Sequence, residues 1–182
     1  MLQQTYSNLQ KELMLDLNKS NALACPRLVK IVVAMGVGKH KDSESYINEA
    51  KLELAQITGQ APAMRRARKA ISGFKLRKGE IVGLQVTLRG ARMWAFLERF
   101  ISTALPRVRD FRGISLTGFD SHGNYSIGIT EHQIFPEIDS NKLKQPKSLQ
   151  ITLVTQPGVT DSECETMLTK LGMPFEKGNK NG

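Results

Sequence analysis

Leu2, Tyr6, Leu9, Leu13 and Leu17 recur at three- and four-residue steps, one stripe of an amphipathic helix over residues 3–19. From Leu28 the period changes. LVKIVVAMGVG is dense in β-branched residues and ends in glycines, the pattern of a strand. Asp42 or Ser43 supplies an N-cap for a second helix carrying Ile47, Ala50, Leu54 and Ile57, and Gly59 supplies its stop. In IVGLQVTLRG, residues 81–90, Val82, Leu84, Val86 and Leu88 share one face of a strand, with Gln85, Thr87 and Arg89 on the other. Met93, Leu97, Phe100 and Ala104 form the stripe of a third helix that Pro106 ends. NYSIGIT and SLQITLVT read as further strands. Asp161 or Ser162 caps a short last helix ending near Gly172.

This order predicts an α+β fold: a two-layer single domain over residues 1–175. Its sheet is largely antiparallel, with helices packed on one face. The other face is left open to carry Gln85, Thr87 and Arg89. Residues 176–182, EKGNKNG, read as a disordered polar tail.

Charge changes this picture. The 182 residues are 40% hydrophobic and 24% charged, ordinary for a chain with a sizeable core, and the net charge is +9. Residues 61–113 hold thirteen Lys and Arg against three acids, a net of +10, so the rest of the chain is nearly neutral. The densest stretch is RRARKAISGFKLRKG, residues 65–79, with seven cations and no acid. Solvated faces usually mix signs, because unrelieved like charge repels itself. A basic block on a near-neutral protein is the footprint of a polyanion site. Between Gly73 and Gly79, FKLRK reads as an exposed loop offering an aromatic, an aliphatic and three cations. Phe74 either stacks on a ligand from there or anchors the loop in the core.

The same reading excludes other chemistry. Cys25 and Cys164 form no Cys-x-x-Cys pair, which fits a reducing cytosol and neither a disulfide framework nor a zinc site. The N-terminal segment is neither a signal peptide nor an Arg-rich presequence, and no apolar run reaches the roughly 18 residues of a membrane span. MGVGKHKD lacks both the third glycine of a dinucleotide fingerprint and the Ser or Thr of a phosphate loop. Gly-x-Gly still lets a backbone approach a partner, and Lys39 and Lys41 suit phosphate. His122 and His132, near Asp120 and Glu131, match no metal-ligand spacing, and Cys164 between two glutamates is no nucleophile. No metal, cofactor or catalytic group is implied.

ITGQAP, ARKAISGFKLRKG, VTLRGARMWAFLERF, PRVRDFRG, FDSHGNYSIG and FPEID occur in that order. Together they resemble the large-subunit ribosomal proteins of the five family, in its bacterial form, from the first helix to about Phe175. The resemblance implies a cytoplasmic ribosomal protein of the central protuberance whose open sheet face grips 5S ribosomal RNA. It implies 5S contacts at Met35, Gly36, Gly38, Lys39, Gln60, Arg65, Arg66, Arg68, Lys69, Thr87 and Arg89. It implies that Phe74, Lys75, Leu76, Arg77 and Lys78 approach the elbow of P-site tRNA. Arg109, Arg112, Asn124 and Tyr125 would face a protein of the small-subunit head across a bridge, with other large-subunit RNA and proteins as neighbours and no membrane.

Three positions depart from the family pattern. Ala34 stands for a usual Asn, removing an amide; Arg65 replaces a usual Thr, adding a cation; Ser121 replaces a usual Gly. The competing class is an RNA-acting enzyme with its cofactor at Met35–Gly38. It is disfavoured by the absence of a titratable or metal-binding constellation near the basic block.

Overall fold

The computed structural model describes residues 2–139 and 145–176. Among them are four helices, α1 (Leu2–Asp16), α2 (Glu44–Thr58), α3 (Gly90–Arg99) and α4 (Asp161–Lys170). They also hold five strands, β1 (Leu28–Gly36), β2 (Ala63–Arg66), β3 (Ile81–Leu88), β4 (Tyr125–Ile129) and β5 (Leu149–Thr155). The strands form one antiparallel sheet in the order β2-β3-β1-β5-β4, so the α+β expectation holds. No helix among the described residues is long and apolar enough to cross a membrane. Of the expected disordered tail, Glu176 donates its N–H to the Ile114 carbonyl at 3.0 Å. Residues 177–182 lie outside the described residues.

The chain divides into two compact units, residues 1–31, 89–127 and 152–182 in one, and residues 32–88 and 128–151 in the other. In the first, Tyr6 and Leu13 of α1 are buried with Met93, Trp94, Phe96 and Leu97 of α3. The Tyr6 ring lies 5.4 Å from that of Trp94, and its hydroxyl donates to the Pro26 carbonyl at 3.0 Å, so this buried polar group is satisfied. After Arg99 the helix widens into a π-helical stretch, Phe100–Ala104, and then a 3-10 turn at Leu105–Arg107. The widening ends at Ala104, and the 3-10 turn that follows contains Pro106, which cannot donate to the helix ladder. The cap of α4 is Thr160 rather than Asp161 or Ser162. Its hydroxyl accepts from Glu163 N, and the Glu163 carboxylate accepts from Thr160 N, a reciprocal capping box.

In the second unit α2 begins and ends as the sequence predicts. Ser43 caps it by accepting from Tyr46 N, and Gly59 closes it at a left-handed φ of 66°. Its Ile47, Ala50, Leu54 and Ile57 are buried, as are Leu84, Val86 and Leu88 of β3. Gln85 and Thr87 alternate with those residues and stay half-exposed, which leaves one face of β3 uncovered.

Candidate nucleic-acid interface

β2 is the element the hydrophobic pattern does not mark, because all four of its residues are exposed. It exists through pairing alone: it runs antiparallel to β3, with Ala63 opposite Gln85, Met64 opposite Leu84 and Arg65 opposite Gly83. The register then slips, and Arg66 pairs with Ile81. This irregularity breaks the alternation where two arginines follow one another. Pairing continues past the strand, with Ala67 N donating to Glu80 O at 2.8 Å and Gly79 N to Ala67 O at 2.9 Å. The basic run therefore sits along a sheet edge, spread over Arg65, Arg66, Arg68 and Lys69.

Two of these cations are already oriented. Arg65 Nε donates to Gln85 Oε1 at 2.6 Å, and Arg66 Nη1 donates to the Gly79 carbonyl at 2.9 Å. Arg65 and Gln85 line a shallow groove of about 540 Å³ on the second unit. Its floor is smooth because Ala34, Gly36, Gly83 and Gly128 present almost no side chain there. A cation held over bare backbone suits a phosphate and sugar chain laid close to the sheet. Gln60 Nε2 reaches the Thr87 carbonyl at 3.4 Å, tying the end of α2 to the same strand.

The predicted RNA-facing residues do not all present side chains. Gly36, the last residue of β1, and Gly38 and Lys39 in the turn after it are exposed, but Met35 is only 1% exposed and its side chain belongs to the core. At that position only the backbone is on offer. Arg89 lies in the other unit, exposed, with Nη1 donating to the Val29 carbonyl at 3.4 Å.

The 71–79 loop is exposed as expected, and Phe74 is not a core anchor: it is 77% exposed. Ile71 and Leu76 exchange backbone hydrogen bonds at 2.9 and 3.1 Å, and Lys75 turns the chain with a left-handed φ of 49°. Lys41 donates to the Glu80 carboxylate at 2.7 Å and to the Lys75 carbonyl. The backbone N–H of Arg77 donates to the same carboxylate at 2.9 Å. The Glu80 carboxyl is held below its ordinary value, first by the Lys41 hydrogen bond and then by that of Arg77 N. The sequence marked Lys41 as a cation suited to phosphate, whereas here it is committed to Glu80. Glu80 did not stand out as a site residue, although it is the acid that terminates the basic run.

Of the residues expected to face the small subunit, all in the first unit, Arg109 and Arg112 are exposed. Tyr125 is a correction: it is 1% exposed, its hydroxyl donates to the Ser115 carbonyl at 2.6 Å, and burial pushes its pKa up to about 12. It packs with Phe119 and Phe175 at ring distances of 4.7 and 5.4 Å and offers no surface to a partner. Asn124 is half-buried and committed, Nδ2 donating to Asp120 at 2.8 Å and Oδ1 accepting from Thr155 N at 3.2 Å.

His132 is fully buried, with Nδ1 accepting from Lys147 N and Nε2 lying 3.1 Å from Glu53 Oε2, a structural setting. Burial raises the Cys164 thiol to about 12, which keeps it protonated and inert.

The family model described as ribosomal protein L5 matches residues 21–77, and the model for the C-terminus of the same ribosomal family matches residues 81–175. The chain is 49% identical to the large ribosomal subunit protein uL5 of Treponema pallidum (strain Nichols), over 91% of this chain and 89% of that one. It is 51% identical to the uL5 protein of Corynebacterium glutamicum (strain R), over 88% and 84%. Identity to that of Thermus aquaticus is 46%, over 94% of each chain. With both halves matched and half the residues shared across such distant bacteria, the chain belongs to the ribosomal protein L5 family, as a bacterial-type structural and non-enzymatic component of the large ribosomal subunit.

Proposed function

We propose that the open face of β3 and the basic edge at β2 bind 5S rRNA, and that the 74–78 loop meets P-site tRNA. The observation that carries this is the Arg65–Gln85 pair over a groove floored by Ala34, Gly36, Gly83 and Gly128. It sets an oriented guanidinium above a surface where an RNA backbone can lie close. The residues assigned to 5S rRNA are Gly36, Gly38, Lys39, Gln60, Arg65, Arg66, Arg68, Lys69, Thr87 and Arg89, with Met35 contributing main chain only. Arg109 and Arg112 are the cations proposed to face the small-subunit head at a bridge. A large-subunit component of this type works in the cytoplasm.

The purified protein should bind 5S rRNA in preference to a generic RNA duplex. With about five phosphates neutralised, log affinity should fall with log salt at a slope of roughly −3 to −5. Equal affinity for any RNA, or a flat salt response, removes the assignment.

A further inference from the structure

On the second unit a cleft of about 680 Å³ opens between the turn after β1, the 71–79 loop and residues 146–148. That volume lies in the roughly 300–1,000 Å³ range of small-ligand sites. Its walls are apolar and aromatic, formed by Tyr46, Phe74, Leu76, Val82 and Pro146. Tyr46 is backed by His40, with ring centroids 4.2 Å apart. Phe74, exposed to water on the rim, has the opposite of a core setting.

The charged residues lining this cleft, Lys39 and Lys147, are both cations. Lys75, Arg77 and Lys78 belong to the loop that carries Phe74. Lys147, also on the wall, is neutralised by Glu53 at 2.7 Å, so the cations that remain to attract a ligand stand at the mouth. A ligand matched to such a place is planar and aromatic in one part and anionic in another. The cleft is also held open in advance. Lys41 reaches from beside the turn to Glu80 and the Lys75 carbonyl, and the Ile71–Leu76 bridge closes the loop on itself. A wall ordered before binding lowers the entropic cost of occupying it. Gly36 and Gly38 keep side chains out of the near edge.

We propose that this cleft takes one unpaired nucleotide of an RNA, the base against the Phe74 and Tyr46 walls and the phosphate toward Lys39. The inference deepens the function proposed above and rests on it, adding His40, Tyr46 and Pro146 to the RNA site.

The test uses the full chain and a single-stranded RNA hexamer carrying one 2-aminopurine. Binding should quench the fluorescence, and Phe74→Ala should weaken that binding roughly 5- to 150-fold, the range of one base–aromatic stack. Unlabelled 5S rRNA and unlabelled tRNA, added as competitors, identify the source: the one that displaces the hexamer supplies the nucleotide. Binding without quenching, quenching that Phe74→Ala leaves unchanged, or displacement by neither RNA overturns the cleft proposal. A Phe74-dependent quench displaced by tRNA alone, in a protein that does not bind 5S rRNA, leaves the cleft standing and overturns the 5S assignment.

Discussion

Lys147 and Glu53 are 94 residues apart in sequence, yet Lys147 Nζ donates to both oxygens of the Glu53 carboxylate, at 2.8 and 2.7 Å. The lysine side chain is 2% exposed and the glutamate 16%, so the ammonium is buried and its carboxylate partner half-buried, with His132 and the Tyr46 ring packed around them. Burial alone would raise the Glu53 carboxyl. The nearby His132 ring and the hydrogen bonds from Lys147 outweigh burial and hold it below its ordinary 4.5. Its stabilising contribution is therefore present above pH 4.5 and is lost as pH falls from there through the lowered folded value. Glu53→Gln should cost about 3 kcal/mol at pH 7, because it strands a buried ammonium, and should flatten the acid limb of the stability curve. Adding Lys147→Met should recover much of the loss. Urea denaturation of the unaltered protein and the two variants at about pH 7 and pH 4 checks both statements.

Ser121 adopts a left-handed φ of 65°, a region that favours glycine. Its backbone N–H donates to Asp161 Oδ2 at 3.0 Å, and that of Gly123 donates to Oδ1 at 2.8 Å, so the carboxylate at the start of α4 fixes the turn. A side chain in this region is strained. Ser121→Gly should raise stability by about 0.5–1 kcal/mol, after the entropy that glycine adds to the unfolded chain. Thermal unfolding of Ser121→Gly beside Ser121→Ala reads the difference, with no gain expected from alanine.

Thr87 lies half-exposed between buried Val86 and Leu88. Thr87→Val keeps shape and strand propensity while deleting the hydroxyl. It should weaken 5S rRNA binding by about 1 kcal/mol and leave the melting temperature unchanged. A destabilised protein with intact binding would contradict a role for this hydroxyl at the RNA.

The basic run is proposed to serve two ligands, and two triple variants separate them. Arg65 lines the sheet groove and Arg66 and Arg68 follow it along the chain, whereas Lys75, Arg77 and Lys78 ride on the tethered loop. Replacing the first three with alanine should block incorporation into large subunits. Replacing the second three should leave 5S affinity and assembly largely intact and reduce tRNA occupancy of the peptidyl site. Gradient sedimentation and tRNA footprinting report the two outcomes; a distal variant that fails to assemble makes the run a single 5S clamp.

Much of the fold is local in origin and so is visible in the chain. The stripe of Ile47, Ala50, Leu54 and Ile57 between a serine cap and a closing glycine specifies α2 almost to the residue. The alternation of residues 82–89 gives the buried and open faces of β3, and the clustering of cations marks the polyanion surface. Other features depend on pairing between distant segments. β2 buries none of its own residues, so periodicity cannot reveal it; only hydrogen bonds to β3 make it a strand. Tyr125 and Met35 looked like contacts by motif, but the packing around them turned both side chains inward. The Lys41–Glu80 tether spans 39 residues and the Glu53–Lys147 pair 94, distances at which a sequence gives charges without partners. Short-range periodicity and charge composition thus set the elements and the chemistry of the ligand. Tertiary structure alone decided which cations are held in place and which aromatic ring stays in water, because those depend on residues brought together only when the chain folds.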